Sequence, residues 1–235
     1  MTNEKLIESQ KKADFDLWII IITTLAVLGL YILLQDKIKA YINNERLHIL
    51  IRTFIAALFQ FGLAGLGITI VSVFRKESFC SYGLKTEKTF LSVALCIICF
   101  IPYIVFVLVT EQKVSYLPFQ SVWTTNELLT SAFPVNIIGI SIIAIVWGFF
   151  EGFNYVVISE KINKRYPSSN KWFNWGAIVC AVVCIFIHGM IGITPAGIIQ
   201  MLTVMIIIYG MLMVKEYTGN AWGCIFIFVF LWNAF

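Results

Sequence analysis

The chain has 235 residues, of which 60% are hydrophobic and 13% charged, with a formal net charge of +4. Average soluble domains carry about 25% charged residues, so this composition excludes a soluble globular protein and points to an integral membrane protein. No basic stripe interleaved with exposed aromatics is present, which excludes a nucleic-acid partner.

A membrane-crossing helix needs about 20 mainly apolar residues. Seven runs meet or approach that length: 17–34, 53–74, 89–110, 135–158, 172–191, 196–214 and 217–235. The predicted fold is all-α, a polytopic helical bundle of about seven transmembrane helices. It forms a single domain over 1–235, with three spans and their loops in 1–134 and a four-helix core in 135–235.

In chain order, MTNEKLIESQKKADFD is too long and too polar for a cleaved signal peptide, so the first run is read as a permanent span. Residues 36–52 (DKIKAYINNERLHILIR) mix charged and apolar groups and are expected to form an interfacial helix; His48 within it is given no role. Gly62, Gly65 and Gly67 allow close helix contact in the second run. FCSYGLKTEKTF comes next as a short polar turn, and Pro102 is expected to kink the third run. Residues 111–134, with Pro118, Trp123 and Pro134, form a longer connection of re-entrant or interfacial character. YPSSN at 166–170 is a turn in which Pro167 ends one helix and Ser168 or Ser169 caps the next. The last run ends at Phe235, so either the natural chain stops at the far interface or the sequence is cut short.

Lys and Arg collect on the cytoplasmic side of membranes. With the N-terminus inside, Lys5, Lys11, Lys12, Arg75, Lys76, Lys85, Lys88, Lys161, Lys164, Arg165, Lys171 and Lys215 are internal. Lys37, Lys39, Arg46, Arg52 and Lys113 are external. Twelve against five favours a cytoplasmic N-terminus, in what is read as the cell membrane. The six cysteines lie in or beside apolar runs; Cys96/Cys99 and Cys180/Cys184 have helical spacing and read as packing residues, without a disulfide framework or a CxxC…CxxC metal signature.

Charged groups are costly in hydrocarbon, so Glu151 and His188 stand out. On a helix Glu151, Asn154, Tyr155 and Ser159 form one polar stripe, opposite Phe149, Phe153, Val156 and Val157. Ala177, Cys180, Cys184 and His188 form a stripe of small or polar residues on the next helix. The midpoint of 151 and 188 falls inside YPSSN, so an antiparallel hairpin brings this carboxylate and imidazole to one depth. Such a pair can activate water as a general base, supply two ligands to a metal such as zinc, or simply fasten two helices by a hydrogen bond. Asn154 and Tyr155 can orient Glu151. Cys184 is a further soft ligand candidate, Gln200 and Thr203 read as interhelical glue, and Asn233 is either glue or an oxyanion donor.

These residues resemble the CPBP family of intramembrane proteases, which includes CAAX prenyl endopeptidases and bacteriocin-processing, Abi-like proteins. The resemblance covers about 135–235, with support from SYGLKTEKTF. The family pattern is Glu-Glu-x-x-x-Arg, then Phe-x-x-x-His, then His-x-x-x-Asn or Asp. In FFEGFNY, Glu151 fits one glutamate, with Phe150 or Gly152 at the other and Tyr155 or Val156 where Arg is expected. CIFIH keeps His188, with Cys184 at the Phe position. TGNAWG leads into a helix closing on Asn233, with Val229 at the His position.

The resemblance implies a divergent intramembrane endopeptidase in which Glu151 and His188 activate water and Asn233 supports the oxyanion. It would act in the lipid bilayer on a peptide, such as a prenylated tail or leader peptide. The alternative is a catalytically inactive member that binds a membrane partner as an immunity or regulatory protein. A small transporter would show inverted repeats, which the sequence lacks.

Overall fold

The structure is a computed structural model and describes residues 3–111, 115–170, 172–189 and 191–235. Lys113 and Lys171, both counted in the charge balance, lie outside the described residues. The chain is an all-α membrane bundle. Among the described residues, five helices are long and apolar enough to cross a membrane, and two shorter apolar ones join them.

Helix α1 is Asn3–Ile42 and α2 is Ile49–Arg75. The expected interfacial helix over 36–52 is not formed. Residues 36–42 prolong α1 with Lys37 and Lys39 exposed, a turn comes after, and His48 caps α2 by accepting from the Leu50 amide at 3.3 Å. A 3-10 turn, Phe79–Tyr82, leads to α3 (Thr89–Glu111), which runs on through Pro102. The connection after α3 contains a short helix, α4 (Thr125–Thr130), and folds inward: Phe119, Thr124, Thr125 and Leu128 are all buried.

Helix α5 (Val135–Arg165) is the hub of the bundle, because Phe153, Val156 and Val157 on its apolar face are as buried as Glu151, Tyr155 and Ser159 on its polar one. Helix α6 (Trp175–Ile187) starts later than expected: Asn174, rather than a serine of YPSSN, caps it by accepting from the Ala177 amide at 2.8 Å. Helix α7 is Pro195–Thr218, capped by Thr194 with Pro195 pre-set for its first turn, and α8 is Trp222–Trp232. At about 1.5 Å per residue α6 and α8 reach only roughly 20 and 16 Å, well short of a hydrocarbon core of about 30 Å. Together with the five long helices, these two shorter apolar helices account for the seven apolar runs read along the chain.

Two segments noted in the sequence, SYGLKTEKTF and TGNAWG, meet through their turns. Asn220 in TGNAWG donates through Nδ2 to the Lys85 and Glu87 carbonyls at 2.7 and 2.9 Å, and the Ala221 amide donates to the Gly83 carbonyl at 2.8 Å. A side chain at Gly83, whose φ is +105°, would lie 3.0 Å from the Gly219 carbonyl oxygen, so only glycine fits that junction. Nearby, Lys161 is 2% exposed and donates to Asp16 and Glu77, each at 2.8 Å, while Arg75 donates to Asp16 at 2.7 Å. This cluster pins α1, α2 and α5 together.

Candidate functional site

The α5–α6 hairpin closes rung by rung. Asn163 donates to Asn174 and accepts from the Gly176 amide, both at 2.8 Å; the Ser159 backbone packs on Gly176; and the Cys180 thiol points at the Tyr155 carbonyl, 3.7 Å away. Gly176 is required there, since a Cβ would fall 2.2 Å from the Ser159 carbonyl oxygen. Continuing the ladder places His188 opposite Glu151, with Nε2 3.6 Å from Oε1. The depth match expected from the YPSSN midpoint is thus realised. His188 lies one residue past the end of α6 rather than inside a span, and its amide donates to the Cys184 carbonyl at 3.1 Å. Its ring meets the edge of Trp232 at 5.5 Å.

Glu151 is 7% exposed. Its second oxygen accepts from Gln60 Nε2 of α2 at 3.0 Å. The two orienting candidates do something else. Asn154 is half-buried and makes no hydrogen bond to the carboxylate, and Tyr155 stacks on Phe228 at 5.4 Å with its hydroxyl against the Cys184 thiol. Thr203 donates to the Gln200 carbonyl of its own helix at 2.7 Å, so it braces α7 instead of joining two helices.

Glu151, His188, Gln60 and Asn233 line one part-open cavity of about 330 Å³. The inward-folded connection supplies Ser121, Val122 and Trp123 to its wall, and α5 supplies Trp147. Asn233 is held by this connection: Ser121 donates to its Oδ1 at 2.9 Å, and the Ser121 amide donates to its carbonyl at 3.2 Å. Asn233 Nδ2 is buried without a hydrogen-bond partner. The connection is tied down at its other end by Arg52, whose guanidinium pairs with Glu127 and lies 5.9 Å from the Trp123 ring.

Three of these side chains border π-helical turns, which add a residue to the helical turn and re-aim the side chains beyond it. Gln60 precedes the turn Gly62–Leu66 in α2, Glu151 comes directly after Ala144–Phe150 in α5, and Asn233 comes directly after Ile227–Trp232 in α8. On a regular helix Asn233 would share a face with Trp222, Phe226 and Val229; the π-helical turn before it shifts that alignment. Val229 itself packs on Gly148, where a Cβ would lie 2.6 Å from its Cγ2.

Chemically, the site offers a carboxylate, an imidazole and a free amide donor around one cavity. The 3.6 Å between Oε1 and Nε2 exceeds a direct hydrogen bond, yet one oxygen atom at about 2.8 Å from each can bridge them. Zinc sites take three protein ligands or more. Among the described residues no third His, Cys, Asp or Glu joins Glu151 and His188, and Cys184 is engaged with Tyr155, so this donor set does not fit zinc.

Sequence reading alone missed Gln60, Ser121 and Trp147. Gln60 had a signal: it is the one amide in the run 53–74, two residues before Gly62. Ser121 and Trp147 had none. Comparison of the chain with family models, with curated proteins and with solved structures finds no match in any of the three.

Proposed function

We propose that the protein is a divergent CPBP-like intramembrane endopeptidase. The observation that carries this reading is the meeting of Glu151 and His188, 3.6 Å apart, in a cavity that also holds the unpartnered Asn233 amide. Glu151 Oε1 takes a proton from a water shared with His188 Nε2, and the resulting hydroxide adds to the scissile carbonyl carbon. The charge that develops on the carbonyl oxygen is met by the side-chain amide of Asn233, which lines the same cavity. The proton returns to the leaving amine as the C–N bond breaks, so no group outside the protein and water is consumed. The substrate is a peptide at the membrane, such as a prenylated tail or leader peptide, and the N-terminus faces the cytoplasm of a cell-membrane protein.

Glu151→Ala and His188→Ala, purified and reconstituted, should each abolish peptide cleavage while keeping the wild-type unfolding transition. Undiminished cleavage by both variants refutes the assignment. Loss of folding in both favours a helix-fastening role instead. One observation favours the second reading, an inactive partner-binding member: Val229, at the family's third-motif His position, packs on Gly148, and no second imidazole lines the cavity. Peptide binding without turnover, weakened by substitutions in the cavity wall, distinguishes it.

A further inference from the structure

We infer that Gln60, on α2 and outside the region of family resemblance, is the positioning residue that sets which carboxylate oxygen of Glu151 faces the reaction. The inference rests on the protease reading above. A carboxylate accepts and does not donate, so the Gln60 amide presents its NH₂ to Oε2 at 3.0 Å. With Oε2 engaged, the plane of the carboxylate is fixed and Oε1 is left turned toward His188. Without that bond, a buried terminal carboxylate rotates broadly about its last torsion, and neither oxygen is held against the imidazole.

The surrounding packing is built to keep Gln60 at that level. Phe61, its neighbour, meets Phe150, the neighbour of Glu151, edge-on at 4.8 Å. Gly65 lets the two helices approach, since a Cβ there would lie 2.9 Å from the Phe150 ring. The π-helical turns of α2 and α5 lie at this same crossing, one just after Gln60 and one just before Glu151. A residue serving only as packing would need none of this alignment between an amide hydrogen and one carboxylate oxygen.

The test uses the full chain in phosphatidylcholine vesicles and two variants. Gln60→Met keeps the length of the side chain and removes the donor. Gln60→Glu keeps the shape and can donate only when its carboxyl is protonated. The infrared band of the Glu151 carboxyl, assigned as the band lost in Glu151→Gln, should move in Gln60→Met. Cleavage of a quenched fluorescent peptide bearing a farnesylated C-terminal cysteine should lose roughly tenfold or more in kcat with KM within about twofold. Gln60→Glu should be impaired at neutral pH and recover as the pH falls, a profile that a packing role would not produce.

An unmoved band in the folded variants overturns the inference, as does a moved band with kcat unchanged. If wild type and Glu151→Gln both fail to cleave while the band still moves, the protease reading fails and the positioning of the carboxylate by Gln60 stands. If Gln60→Met does not fold, Gln60→Glu decides by the same band and the same pH profile.

Discussion

Replacing Lys161 by methionine removes the ammonium that Asp16 and Glu77 share, each at 2.8 Å. Asp16 is 2% exposed and would keep Arg75, at 2.7 Å, as its one cation. Breaking a buried pair by deleting one partner costs about 3–5 kcal/mol, because the survivor is left charged in a poor solvent. Retention of Arg75 puts Lys161→Met at the lower end, about 3 kcal/mol. Adding Asp16→Asn removes the stranded charge, so the double variant should regain part of that loss, with a coupling of about 1–3 kcal/mol. The assay is reversible unfolding in mixed detergent micelles monitored by tryptophan fluorescence, on wild type, both single variants and the double. A cost for Lys161→Met below about 1 kcal/mol, or a double variant no more stable than Lys161→Met, would show that this cluster does not hold α1, α2 and α5 together.

The same cluster has a pH signature. Burial acts to raise the Glu77 carboxyl, but hydrogen bonds from Lys161 and Tyr82 outweigh it and hold the group below its ordinary value of 4.5. A depressed carboxylate contributes stability that is present above the unfolded value and lost as pH falls through the folded one. Stability should therefore decline below about pH 4.5, and Glu77→Gln should flatten that decline in unfolding measured from about pH 6 to 3. In the hairpin, Gly176→Val should cost about 2–3 kcal/mol or more in the same unfolding assay, because its Cβ would meet the Ser159 backbone at 2.2 Å and backbone cannot step aside. A valine variant as stable as wild type would mean that α5 and α6 do not touch there.

That the protein is a helical membrane bundle, where its apolar runs lie, and that Glu151 and His188 share a level were all legible along the chain. Those features depend on local quantities: hydropathy, and the regular rise that makes a hairpin's pairing depend only on where it turns. The register of Ser159 with Gly176 and of Tyr155 with Cys180 obeys the same rule. The surroundings of the pair were not legible, because they come from helix packing. Gln60 is separated from Glu151 by 91 residues and Ser121 from Asn233 by 112, so no periodicity links them. Likewise Lys161 and Asp16, 145 residues apart, read as ordinary flanking charges until α1 and α5 pack and exclude water between them. The π-helical turns beside Gln60, Glu151 and Asn233 re-aim those side chains where close-packed neighbours demand it. Such a turn gives up regular backbone hydrogen bonding, and only contacts from distant parts of the chain can compensate for that loss.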